Sequence, residues 1–123
     1  MRFMTLVKGP ELDSPPPQAL IDAITKLGED GTKAGVLVET GGLAPSAAGA
    51  AVRVSGGKVT VTDGPFSEAK ELVGGYAVFE VKSKEEAVEW ARRFMEVHAE
   101  HWPEWSGEIE VRQVLGPDDI PGS

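Results

Sequence analysis

The sequence predicts an α+β fold in which strand, helix, strand, strand, helix and strand follow one another, with a β-hairpin inserted after the second strand. Three observations lead to that order. Apolar residues recur at helical spacing in two separate stretches, one from Gln18 and one after Ser83. Residues 2–8, 36–40, 75–82 and 108–115 carry the alternation or the β-branched content of strands. Between the second and third of these, Ala51 to Thr62 folds back on itself around Gly56-Gly57.

The first strand places Phe3, Thr5 and Val7 on one face and Met4 and Leu6 on the other. Gly9 to Pro17 is a loop. Ser14 ahead of Pro15-Pro16-Pro17 suits a helix start, because proline is tolerated where an amide has no intrahelical partner. From Gln18, the residues Leu20, Ile21, Ile24 and Leu27 share one side of a helix reaching residue 34. Gly28 and Gly31 weaken its second half by about 1 kcal/mol each relative to alanine, and Gly35 is a natural stop. Val36 to Thr40 is a short strand ending at Gly41-Gly42, and Leu43 to Gly49 is a loop.

In the hairpin, a two-residue turn at Gly56-Gly57 pairs Val54 with Val59 and Val52 with Val61. The valines then share one face, while Arg53 and Thr60 share the other. After the turn Asp63-Gly64-Pro65-Phe66, Ser67 to Leu72 is expected to form about one helical turn. The strand Gly75 to Lys82 sets Ala77, Phe79 and Val81 against Tyr76, Val78 and Glu80. Ser83-Lys84-Glu85-Glu86 reads as a capping box. The helix it opens gathers Ala87, Ala91, Phe94, Met95 and His98 on one stripe. Glu85, Glu89, Arg92, Arg93 and Glu96 form its wet side, with Glu89 and Arg93 placed to support each other. Glu108 to Leu115 alternates Ile109 and Val111 against Glu110 and Arg112. Residues 116–123 form an acidic Pro/Gly tail outside the domain 1–115 and are expected to fray.

This is the ferredoxin-like βαββαβ plan with an inserted β-hairpin, in which both helices cover one face of the sheet. The other face carries apolar side chains too. A second copy packed face to face covers them most simply, which predicts a homodimer.

Composition narrows the partners. At 123 residues, 41% apolar and 26% charged, the chain fits one globular domain. A net charge of −8, with no Lys/Arg cluster, argues against nucleic acid or an anionic membrane as the main partner. The absence of cysteine excludes disulfides, thiolate nucleophiles and cysteine-held metal centres. The apolar run Met1 to Val7 is stopped by Lys8-Gly9-Pro10, too early for a leader or a membrane span, so a cytoplasmic protein is expected.

Val61-Thr62-Asp63-Gly64-Pro65-Phe66, with Glu68, Lys70 and Gly74-Gly75-Tyr76, resembles the YCII-related proteins, specifically their DGPF-domain branch. Ala34-Gly35-Val36-Leu37, Gly42-Leu43 and Val111-Arg112 extend the resemblance over residues 1 to 115. It implies a dimeric α/β barrel, in agreement with the plan read from periodicity. In the wider group some members are thought to act on small ring-derived acids through a histidine–aspartate pair. Residues 18–34 contain no histidine, so that pair has no counterpart in the first helix. The resemblance also implies an accessory role beside an extracytoplasmic-function sigma factor.

Several side chains are candidates for chemistry. Asp63 is a general base or substrate-orienting carboxylate, or else it accepts amide hydrogen bonds across its own turn. Glu80 shares a strand face with Tyr76 and Val78, where a half-buried carboxylate needs a partner or a raised pKa. Glu39 is a weaker version of the same case. Lys70 and Glu71 either hold an anionic ligand or are solvated charges. His98 and His101 lie three apart at a helix end, a spacing open to a metal with Glu100 or Glu104. The spacing is not a zinc signature, however, and the reading adopted is a favourable interaction of histidine with the helix dipole, so no metal is assigned. The glycine pairs lack phosphate-loop spacing, and no serine sits in a nucleophile motif.

Two functions follow as expectations. One is small-molecule binding between sheet and helices, the ligand being a small anionic or ring-derived metabolite and any reaction a proton transfer of isomerase or lyase type. There Asp63 and Glu80 would be catalytic, Lys70, Glu71, Tyr76 and Phe66 would bind substrate, and no cofactor is implied. The alternative is a non-catalytic accessory protein that touches a sigma factor.

Overall fold

The computed structural model describes residues 1–12, 14–65 and 72–119. Its elements are β1 (Arg2–Gly9), α1 (Gln18–Lys33), β2 (Leu37–Gly42), β3 (Ala50–Ser55), β4 (Lys58–Asp63), β5 (Leu72–Glu80), α2 (Lys84–His101) and β6 (Glu108–Gln113). Alternation along β1 and β5 sends every second side chain to the same side, and the register makes those sides agree. Phe3 stands opposite Phe79, Thr5 opposite Ala77, and Val111 of β6 opposite Thr5. The four-stranded sheet runs in the order β2-β5-β1-β6, each neighbouring pair antiparallel. This is the ferredoxin-like α+β order expected from the sequence, the hairpin β3-β4 forming a separate two-stranded sheet.

The helices lie on the face that carries Phe3, Ala77 and Phe79. Phe3, Phe79, Val81 and Ala87 form the buried centre, with Val36, Leu37, Trp90 and Val111 packed around it. Trp90 of α2 stacks on Phe79 with ring centroids 6.0 Å apart. Arg93 lies over the Trp90 ring, 4.4 Å from its centroid, and reaches Asp30 of α1 at 3.7 Å, tying the two helices together outside the core. The Glu89–Arg93 pair expected from spacing is therefore replaced: Glu89 bonds Arg92, which also bonds Glu96, because Arg93 is drawn across to Trp90 and Asp30.

Local chemistry explains where the elements begin and end. At the start of α1 the carbonyl of Pro17 accepts from the amides of Leu20 and Ile21, at 3.0 and 3.2 Å. No side chain caps this end, so Ser14 does not do so as expected. Consecutive prolines hold the chain extended, which leaves Ser14 too far back to reach the first turn. At the other end Gly35 (φ 74°) donates to Thr32 O and Val36 donates to Gly31 O, a Schellman closure. The Ser83 hydroxyl accepts from the Glu86 amide at 3.2 Å, while the Glu86 carboxylate accepts from the Lys82 amide. The reciprocal half of the box is thus shifted by one residue.

The hairpin has the expected register, with Val54 opposite Val59, Val52 opposite Val61 and Arg53 opposite Thr60. Gly56 and Gly57 adopt φ of 56° and 78°, the left-handed pair that a two-residue turn needs. Two local expectations need amendment. The loop 43–49 contains a short 3-10 turn, Ser46–Ala48, and another covers Pro117–Asp119, where Asp119 accepts from the Gly116 amide at 2.8 Å. The helical turn expected at Ser67 to Leu72 lies outside the described residues except for Leu72, which opens β5. Among the described residues no helix is long and apolar enough to cross a membrane.

Candidate functional site

The core cluster fills only one end of the space between sheet and helices. Toward the C-terminal ends of β1 and α2 that space opens into a cavity of about 970 Å³. Thr5, Val7, Ala77 and Ile109 line it from the sheet. Ile24, Leu27 and Gly28 of α1, with Ala91, Phe94 and His98 of α2, line it from the helices. Leu12, Leu43 and Pro45 border it from the loops, and Trp102 and Trp105 from beyond α2. A largely apolar hollow with a few polar groups is the usual form of a small-molecule site.

Its aromatic wall is built by close approach. A methyl group on Gly9 would stand 2.8 Å from the Trp105 ring. One on Gly107 would stand 2.5 Å from both that ring and the Lys8 carbonyl. Two residues without side chains therefore make the slot in which Trp105 lies. Trp105 stacks on Trp102 at 6.3 Å and meets His98 at 4.8 Å, and His98 meets Phe94 at 4.7 Å.

Polar groups are few. His98 is 7% exposed, and its Nδ1 lies 2.9 Å from the Phe94 carbonyl. Burial holds the imidazole pKa below its usual value, a shift that the backbone hydrogen bond partly offsets. Glu11, at the rim, accepts from the Ser46 amide at 2.6 Å and from the Ser46 hydroxyl at 3.1 Å, joining two loops beside the cavity. The turn after β4 abuts the same place. Gly64 donates to Gly49 O, and a methyl group on Gly64 would overlap the Ser46 carbonyl.

The residues singled out from the sequence are dispersed. Asp63 is exposed at the end of β4, and its carboxylate makes no hydrogen bond or ion pair with the described residues. Neither it nor Glu80 lines the cavity. Glu80 is 54% exposed rather than half-buried, on the face away from the helices. There it pairs with Arg2 at 3.8 Å and the N-terminal ammonium at 4.0 Å. Tyr76 borders the cavity, although alternation puts its ring on the opposite face, over Gly41. Phe66, Lys70 and Glu71 lie outside the described residues. Glu39 is exposed on edge strand β2. His101 lies 3.8 Å from Glu100, and the described residues contain no cluster of three metal-ligating side chains.

Sequence reasoning missed His98 as a cavity residue. The signal was present: a histidine on the apolar stripe of Ala91 and Phe94 faces inward, and a buried imidazole needs a reason.

The family model of the YCII-related domain matches residues 1–115. The chain belongs to the YCII-related family. A curated relative, an uncharacterised protein of Rhizobium meliloti (strain 1021), is 33% identical over 91 residues, covering 72% of this chain and 69% of the relative.

Proposed function

We propose that this YCII-related protein binds a small, mostly apolar, ring-containing molecule in the cavity between its sheet and helices, and that it does so as a homodimer. The observation that carries the reading is the cavity itself, about 970 Å³ of largely apolar space bordered by three tryptophans. Unfilled apolar space is costly in a close-packed interior, and a guest that fills it recovers that cost. The described lining holds no lysine or arginine, which favours the ring-derived part of the sequence expectation over the anionic part. A proton transfer in this space would run through His98, the titratable ring in its wall.

The homodimer is supported by two apolar surfaces, a partly exposed one on the sheet and an exposed one on the hairpin. The sheet face away from the helices presents Met4, Leu6 and Tyr76 between charged residues. On the hairpin, Val52, Val54, Val59 and Val61 are 66, 74, 68 and 67% exposed on one face. A second copy is the partner that is always at hand to cover both.

Gly28 offers the test of the cavity. It lines the hollow, and a methyl group added there would meet nothing within 4 Å. Gly28→Phe should fold, as circular dichroism would show, while occupying the guest's volume. Aromatic compounds that raise the melting temperature of the parent protein should lose that effect in the variant. A compound present at 100 times its Kd stabilises the native state by about 2.7 kcal/mol, which is readily measured. Equal shifts in both proteins, or none in the parent across a broad aromatic set, would count against the cavity.

A further inference from the structure

His98 shows what kind of ring molecule the cavity suits. Its Nδ1 faces the Phe94 carbonyl at 2.9 Å. A carbonyl can only accept, so Nδ1 carries the proton and Nε2 keeps an unshared pair. No described side-chain nitrogen is both fully buried and without a partner. Nε2 makes no hydrogen bond to a described residue and so retains a little open surface. His98 is otherwise enclosed and borders the cavity, so that surface opens into it.

The rest of the lining limits what can meet this acceptor. The Glu11 carboxylate is already engaged by Ser46, and among the described lining residues no cation answers an anionic guest. The net charge of −8 further disfavours an anion. A wholly apolar guest would strip Nε2 of hydration and give nothing back, which is the costly case for a polar atom. An uncharged aromatic guest with one donor meets both demands. We infer that the cavity takes a neutral aromatic molecule whose hydroxyl or ring N–H donates to Nε2 of His98. Burial lowers the pKa of the imidazole and so keeps it in the neutral, accepting form at neutral pH.

This inference rests on the proposed cavity binding, and a pair of probes of equal shape separates the two. Phenol and toluene differ by a hydroxyl against a methyl group. The parent protein should bind phenol about tenfold more tightly than toluene, a difference of about 1.4 kcal/mol. His98→Phe should reverse the order. Toluene binding as tightly as phenol in the parent would overturn the role of His98 while leaving the cavity reading intact. An unchanged preference in His98→Phe would do the same. Failure of both probes to bind the parent would overturn both. The nitrogen-15 resonance of Nε2 in the parent gives a second readout that needs no variant. It should move on addition of phenol and stay in place with toluene, and a resonance indifferent to phenol would overturn the inference even if His98→Phe did not fold.

Discussion

Trp105 owes its position to what its neighbours lack. Gly9 and Gly107 leave a slot for its ring, and the Gly107 side of that slot is partly backbone, because the Lys8 carbonyl would lie 2.5 Å from an added methyl group. A carbonyl fixed in a strand yields less readily than a side chain. Gly107→Ala is therefore expected to cost about 1–3 kcal/mol in urea unfolding, with a changed near-ultraviolet dichroism from the displaced indole. His98 gives a prediction in pH. Its folded pKa lies below the usual 6.5 because burial disfavours the imidazolium. Below that usual value the unfolded chain takes up the proton more readily than the native state, so stability falls as pH drops from 6.5 toward the folded pKa. In His98→Phe that part of the acid-side loss should be missing from denaturation curves at pH 7 and pH 5. At this scale the sequence was partly readable. The stripe containing His98 was visible, but not that the helix would carry the ring over a hollow. Glu80 was placed on the correct strand face, yet it is exposed and paired with Arg2 and the N-terminal ammonium, neighbours that no local pattern reveals.

Among the elements, the hairpin was the most legible. Its pairing follows from turn chemistry and alternation within a few residues, and Val54 faces Val59 as that logic requires. Helix α1 was legible in extent but not in its opening, since the proline run holds Ser14 away from the first turn. What the hairpin packs against is not written locally. A two-stranded hairpin is marginal by itself in water, and this one keeps its valine face exposed. Its strands also carry Arg53 and Lys58 in a protein of net charge −8, which suits an acidic neighbour such as a second copy. Replacing Val54 and Val59 together by threonine keeps β propensity and removes apolar surface. Sedimentation equilibrium should show self-association weakened by about tenfold, with the monomer's dichroism unchanged. A parent protein that is monomeric at micromolar concentration would remove the dimer from this account.

For the whole molecule, the element order gave the sheet, because short connections and antiparallel pairing leave few ways to arrange four strands and two helices. The cavity had no such signature. It arises where Phe94, Ala91, Gly28 and Val7, distant in the chain, fail to fill the space between layers, and a volume of that kind belongs to no stretch of sequence. One property of the sheet reaches further. The chain leaves β2 for the hairpin at Gly42 and re-enters the sheet in β5 from Leu72; Gly42 and Gly75 are register partners, and the Leu43 amide donates to the Gly74 carbonyl beside them. Departure and return are thus clasped together, like the two ends of a bracket. The hairpin between them belongs to a separate two-stranded sheet, so it can be lengthened, shortened or exchanged without re-registering the four-stranded one, which makes this junction a natural grafting point for a foreign peptide.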